Sequence, residues 1–196
     1  MGIDLVVASL STDWSSYADS ALPLLASLDR LVPFGEPRPA YDRGWSERAF
    51  RSASPAEQSG SRASVSRAVG ALQGELSSRF DIPVTWLDTP GVEEYLGQID
   101  PRAALAVNKT VQRLGVDRFP NLAVLDIENM YLPVELPTVL VGQPRAIGAA
   151  PALAREVEAV SALVDPEDYA VLDHLSALRE ACELSARLGA VVLVSG

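Results

Sequence analysis

The stretch Tyr169–Gly196, YAVLDHLSALREACELSARLGAVVLVSG, decides the fold class. Val171, Leu175, Leu178 and Cys182 share one helical face, and Ala181, Leu184 and Leu188 widen it. Gly189 is the natural stop, since glycine takes the left-handed conformation that ends many helices. Ala190–Val194 follows as an almost wholly aliphatic strand. Val191, Val192 and Val194 are too apolar for an exposed edge, so this strand is expected inside a sheet.

The other end of the chain matches it. Ile3–Leu10 is rich in aliphatic residues, and Leu5 and Val7 point to burial. The first and last strands are therefore predicted side by side in the sheet interior. Strands and helices alternate irregularly between them, which favours a mixed sheet over a fully parallel one. The expected class is α/β of the α+β type, with about five strands and about five to six helices. A length of 196 residues fits a single domain, 1–196. With 48 % apolar residues, the chain can bury a core without disulfides or metals.

Further in, Leu22, Leu25, Leu28 and Val32 have helical spacing, with Ser20 as N-cap and Pro23 in the first turn. From about 33 to 61 the pattern dissolves among Pro33, Pro37, Pro39 and Pro55, leaving a long irregular segment rich in Arg, Pro and Ser. Val65, Val69, Leu72, Leu76 and Phe80 mark an amphipathic helix, and Ile82–Leu87 reads as a strand. Thr89-Pro90 and Asp100-Pro101 each resemble an N-cap followed by proline at the first helical position. The second of these helices runs to about Leu114 and stops at Gly115. Leu122–Ile127 and Met130–Leu136 read as strands joined by a turn at Glu128-Asn129, with Pro133 implying an edge or a bulge. Thr138–Val141 continues the sheet. Leu153, Val157, Val160 and Val164 form a helical stripe that ends at Asp165-Pro166.

The formal net charge is −10. Such a chain is repelled by nucleic acid and by anionic membrane surfaces, so neither is expected as a partner. No apolar run reaches the ~18 residues of a membrane span. Residues 88–196 hold 16 acids against 8 bases, whereas residues 34–67 hold 4 acids against 6 arginines. Of the 16 bases only Lys109 is lysine, which with the abundant alanine suggests a high-GC bacterial genome. Cys182 is the single cysteine, so no intrachain disulfide forms and the cytoplasm is the expected compartment. His174 is the single histidine, so no Cys/His cluster has metal-ligand spacing, and no metal or cofactor is expected. Ile3–Leu10 lacks a preceding positive charge and suits a strand better than a signal peptide. Val6 stands where a myristoylation signal on Gly2 wants Ser or Thr.

Asp88-Thr89-Pro90-Gly91 and Asn108-Lys109-Thr110 have the look of GTPase motifs. No Gly-rich phosphate loop accompanies them, and the only lysine lies after the supposed magnesium site, so nucleotide binding is not expected. His174 and Cys182 lie eight residues apart on one helix, about 12 Å of rise, beyond proton-transfer reach. Cys182 falls on the apolar stripe and His174 at its edge, as a half-exposed boundary residue. Asp126, Glu128 and Glu135 form a candidate carboxylate cluster around a turn, the sort of group that binds metals or moves protons; acids at strand ends are also common. From Glu156 to Glu183 there are eight acids and one base, Arg179, giving two helices a negative face that suits a basic protein. Arg43, Trp45 and Arg48 are the candidate binding residues of the irregular segment. Arg with aromatics is typical of interaction hot spots, and Arg grips carboxylates and phosphates with two bonds.

Leu178, Arg179, Gly189, Ala190 and Val191 lie in a helix-glycine-strand stretch that is similar to the C-terminus of the YfbM-like group of bacterial proteins. The resemblance covers about one seventh of the chain. It implies a small bacterial α+β protein without known catalysis, and some comparable families are immunity proteins beside secreted toxins. The expected function is a non-enzymatic protein-binding module, with immunity against a basic toxin as its specific form. The alternative is an enzyme or small-ligand binder whose site lies between residues 34–67 and the carboxylates near 126–135.

Overall fold

Val7 pairs with Val192, and Leu5 with Val194, in an antiparallel ladder between β1 (Ile3–Ala8) and β7 (Val191–Ser195). The computed structural model describes residues 3–10, 28–37, 62–125, 129–142 and 145–195. On its far side β1 pairs antiparallel with β3 (Glu93–Ile99), with a bulge where Gly97 takes a φ of 109°. β7 pairs antiparallel with β4 (Met130–Leu132), which runs parallel to β6 (Ala146–Ala149). β5 (Leu140–Val141) and β2 (Val32–Pro33) complete a mixed sheet in the order β2-β5-β6-β4-β7-β1-β3. The first and last strands are thus neighbours inside the sheet. The sheet has seven strands where about five were expected.

Five described helices cover this sheet: α1 (Arg62–Phe80), α2 (Pro101–Leu114), α3 (Pro120–Ala123), α4 (Ala150–Ser161) and α5 (Tyr169–Leu188). Side chains alternate along each strand, so neighbouring residues serve different layers. Leu5, Val7, Tyr131, Val192 and Val194 pack with α2, α4 and α5, where Val107, Val157, Leu175 and Leu178 are buried. Met130, Leu132, Ile147 and Val191 pack with Val69, Leu72 and Leu76 of α1. Cover on both sides explains why β7 carries no polar alternation.

The helix ends follow local rules. Asp100 caps α2 by accepting from the Arg102 amide at 2.8 Å, and Gly115 ends that helix. Gly189 ends α5 in the left-handed conformation, φ 64°. A Cβ at Gly189 would also stand 2.5 Å from the Leu87 carbonyl, so conformation and contact both require glycine there.

Several expectations are corrected. Ile82–Leu87 belongs to no strand, because side chains of α1 take its backbone bonds. Ser77 Oγ accepts from the Val84 amide at 2.9 Å, and Gln73 Nε2 donates to the Trp86 carbonyl at 2.8 Å. Thr89-Pro90 opens no helix. Asp88 accepts from the Leu10 amide at 2.8 Å and Ser9 N donates to Val92 O at 3.0 Å, which turns the chain into β3. Leu122 and Ala123 lie in α3 rather than a strand, and β4 stops at Leu132, before Pro133. Leu28 sits in a 3-10 turn and Val32 in β2, whereas Ser20 to Leu25 lie outside the described residues. Pro33, the first residue of the supposed irregular segment, is the end of β2, and residues 38–61 lie outside the described residues.

A buried carboxylate accounts for α3. Glu156 accepts from Asn121 N at 3.2 Å, Asn121 Nδ2 at 2.7 Å and Leu122 N at 2.9 Å. Asn121 Oδ1 accepts from Ala149 N at 3.0 Å, and Tyr131 donates to the Asn121 carbonyl at 3.1 Å. Glu156 therefore faces inward, not onto the acidic outer face where its place in the sequence suggested. Burial raises its carboxyl above the ordinary range, partly offset by the donors from Asn121 and Leu122.

Two predictions follow from this packing. Val192→Asp places an unpaired charge between two layers, and circular dichroism should show no cooperative melt; a melt near the wild-type temperature contradicts the two-sided burial of β7. Glu156→Ala strands three buried donors and should lower unfolding free energy by about 3 kcal/mol in urea titration. A loss under about 1 kcal/mol would mean that water replaces the carboxylate.

Candidate functional site

α2 presents two faces. Ala103, Val107 and Val111 enter the core, whereas Ala104, Leu105 and Asn108 line a cleft of about 320 Å³. The facing walls are Ile3 at the start of β1, residues 123–125 at the end of α3, and Val141, Gly142, Arg145 and Ala146 around the β5–β6 turn. The cleft thus lies at the end of the sheet where β1, β4 and β6 begin. Gly142 N donates to Arg145 O at 2.9 Å and closes that turn.

Asn129 holds the walls together. Its Nδ2 donates to the Val124 carbonyl, its Oδ1 accepts from Ala146 N at 2.9 Å, and its carbonyl accepts from Val194 N at 3.1 Å. Its amide group is therefore committed to the protein. Asn108 and Arg145 are half-buried, and their side chains are the remaining polar groups on the described walls. The described lining holds no carboxylate.

A second surface is the outer side of the α4–α5 hairpin. Glu158, Asp165, Glu167, Asp168, Asp173, Glu180 and Glu183 are exposed there. Arg179 pairs with Glu183 at 2.8 Å. At the turn between the helices, Leu163 is 52 % exposed and Tyr169 72 % exposed. Asp165, Glu167 and Asp168 lie between them in the chain. Asp165 accepts from the Glu167 amide at 2.9 Å, and Asp168 caps α5.

Of the candidate residues read from the sequence, Arg43, Trp45, Arg48, Asp126 and Glu128 lie outside the described residues. Leu125 and Asn129, which bracket 126–128, both line the cleft. Glu135 is exposed and forms a two-bond ion pair with Arg155 of α4, at 2.5 and 2.9 Å. The Arg155 guanidinium beside it holds its carboxyl below the usual range. Glu135 is not among the described residues of the cleft. In the sequence Asn108 stands out only through its likeness to a nucleotide motif, and Arg145 carries no local pattern that singles it out. Their nearness is a tertiary fact.

His174 and Cys182 are not a reactive pair. Burial pushes the Cys182 thiol up to about 12, so it is no nucleophile at neutral pH. His174 is 4 % exposed, not a boundary residue, and neither ring nitrogen has a partner. Burial lowers its pKa to about 4, against a smaller upward pull from Asp100. Among the described residues, no three His, Cys, Asp or Glu side chains could share a metal ion, and no helix is long and apolar enough to cross a membrane. No family model matches the chain, and no curated protein or solved structure is significantly similar to it.

His174 makes stability pH-dependent. Its folded pKa of about 4 lies below the ordinary histidine value of 6.5, so the unfolded chain binds the proton first. The stability tied to neutral His174 is complete above pH 6.5 and is lost as pH falls toward 4. Glu156, with its raised pKa, acts in the opposite direction but equally in both proteins compared. The stability advantage of His174→Leu over wild type should therefore grow by about 2 kcal/mol from about pH 7 to about pH 5 in urea titrations. An unchanged gap would mean that the buried imidazole finds a partner on protonation.

Proposed function

We propose that the protein is a non-enzymatic binding module that docks a basic protein on the outer surface of the α4–α5 hairpin. One observation carries this: exposed Leu163 and Tyr169 flank the three carboxylates Asp165, Glu167 and Asp168. Tyrosine is a preferred interface anchor, since it buries a large area at small entropy cost. Carboxylates around such an anchor speed encounter with a cationic partner and repel acidic ones. The buried, neutral states of His174 and Cys182 favour binding over acid–base or thiol catalysis.

Immunity against a basic toxin is the specific form of this proposal, in keeping with the YfbM-like resemblance of Tyr169–Gly196. A bacterial origin and a cytoplasmic location belong to the same proposal, and rest on the Arg-rich, Ala-rich composition and the single cysteine.

The test compares the immobilised wild type with a variant carrying Asp165→Asn, Glu167→Gln, Asp168→Asn and Tyr169→Ala. These exposed sites should change stability by less than about 0.5 kcal/mol each. Proteins captured by wild type and lost by the variant are identified by mass spectrometry. They should be basic, and should elute as salt rises from about 50 to about 300 mM. Equal capture by both proteins would reject this surface.

A further inference from the structure

We propose that the outer edge of β3 binds an extended, positively charged peptide segment of a partner protein as an added strand. This inference does not rest on the α4–α5 docking surface. The two ends of the sheet differ. β2, at one end, has two residues and finishes on Pro33, a short, proline-bearing edge that resists pairing. β3, at the other end, spans the seven residues Glu93–Ile99 and holds neither proline nor lysine. Among the described residues it pairs with β1 alone, and Glu93, Glu94, Tyr95 and Gln98 are exposed. Ser9 N donates to Val92 O at 3.0 Å, so by alternation the backbone groups of Glu94 point to β1 and those of Glu93 and Tyr95 point outward. Beyond the bulge Gly97 and Ile99 face Leu5 and Ile3, which turns Gln98 outward. The bulge leaves Leu96 unpaired and divides the outward groups into two short runs. An added strand gains bonds at Glu93 and Tyr95 on one side of it and at Gln98 on the other.

Side chains on this edge select the occupant. Residues paired across the ladder point to one face of the sheet, so Glu93 and Tyr95 share a face with their partners Ala8 and Val6, and with Asp4. Tyr95 is 59 % exposed, and its hydroxyl donates to Asp4 Oδ1 at 3.2 Å, which ties the ring to that acid. An arginine or lysine opposite Tyr95 on an added strand meets an aromatic ring with carboxylates on either side along the sheet. Glu94 adds an acid on the other face, and β3 itself carries no base. A second copy of the chain is the poorer occupant, because it brings its own Glu93 and Glu94 and a net charge of −10 to an edge that is already acidic. Main-chain bonds supply the affinity in such strand addition, and side chains at alternate positions supply the specificity.

The test is a titration of the ¹⁵N-labelled protein with a capped synthetic peptide that alternates Lys or Arg with Val. It should give saturable shifts, and slower hydrogen exchange, at the amides of Glu93, Tyr95 and Gln98. The counterpart with Glu in place of Lys and Arg should bind about tenfold more weakly. So should the cationic peptide N-methylated at every amide, which keeps its charge and loses its donors. Glu93→Lys combined with Glu94→Lys changes two exposed positions, and should keep the amide spectrum dispersed while weakening the cationic peptide about tenfold. The α4–α5 surface variant should bind that peptide as wild type does, so a failure of the hairpin surface leaves this result intact. No saturable shift at about 5 mM peptide, shifts confined to other amides, equal binding of the acidic or the N-methylated peptide, or unchanged binding by the folded charge variant would each overturn the proposal. So would shifts at these amides on concentrating the protein alone, which would make the edge the seat of a second copy.

Discussion

Burial of β7 on both faces is the constraint on which the other layers depend. Val191 faces the α1 layer, while Val192 and Val194 face α2, α4 and α5. A strand so placed has no solvent face, and its polar groups must find partners in β1 and β4. The approach of α5 is set at the same point. Gly189 reverses the chain beneath the Leu87 carbonyl, and Ser185 Oγ donates to the Ala190 carbonyl at 2.5 Å. A helix cannot end and a central strand begin within two residues unless these local bonds replace the helical ones.

Buried polar side chains fasten the connections that the apolar core leaves unspecified. Glu156 and Asn121 join α4 to α3 and to the end of β6. Asn129 joins the exit of α3 to β6 and β7. Gly148 permits the first of these, since a Cβ there would meet Asn121 Oδ1 at 2.5 Å and Tyr131 at 2.6 Å. Hydrophobic burial is non-directional, whereas these bonds admit one arrangement of short segments. The cleft is a by-product of that arrangement, because Asn129 fixes two of its walls at once.

Charge is distributed by surface. The hairpin of α4 and α5 shows seven carboxylates to solvent, and the described cleft walls show only Arg145. Salt screens the field of the hairpin's exposed carboxylates over about 8 Å at physiological ionic strength.

Helices α1, α2, α4 and α5 and strands β1 and β7 are legible in the sequence, because each holds its own signal. Apolar spacing, Asp100-Pro101, Gly115 and Gly189 act over a turn or less. The class of the sheet was also legible, since two strongly apolar strands at opposite ends of the chain must share an interior. The fate of Ile82–Leu87 was not, because Ser77 and Gln73 of α1 compete with a neighbouring strand for its backbone bonds. Nor was β3, whose pattern is mostly exposed and whose partner lies about ninety residues away in β1. Glu156 looked like one more surface acid until Asn121 and Leu122 were brought against it. The same holds for Arg145 and Asn108. Local periodicity is written in the chain, but which polar groups meet across a cleft is decided only when distant segments pack.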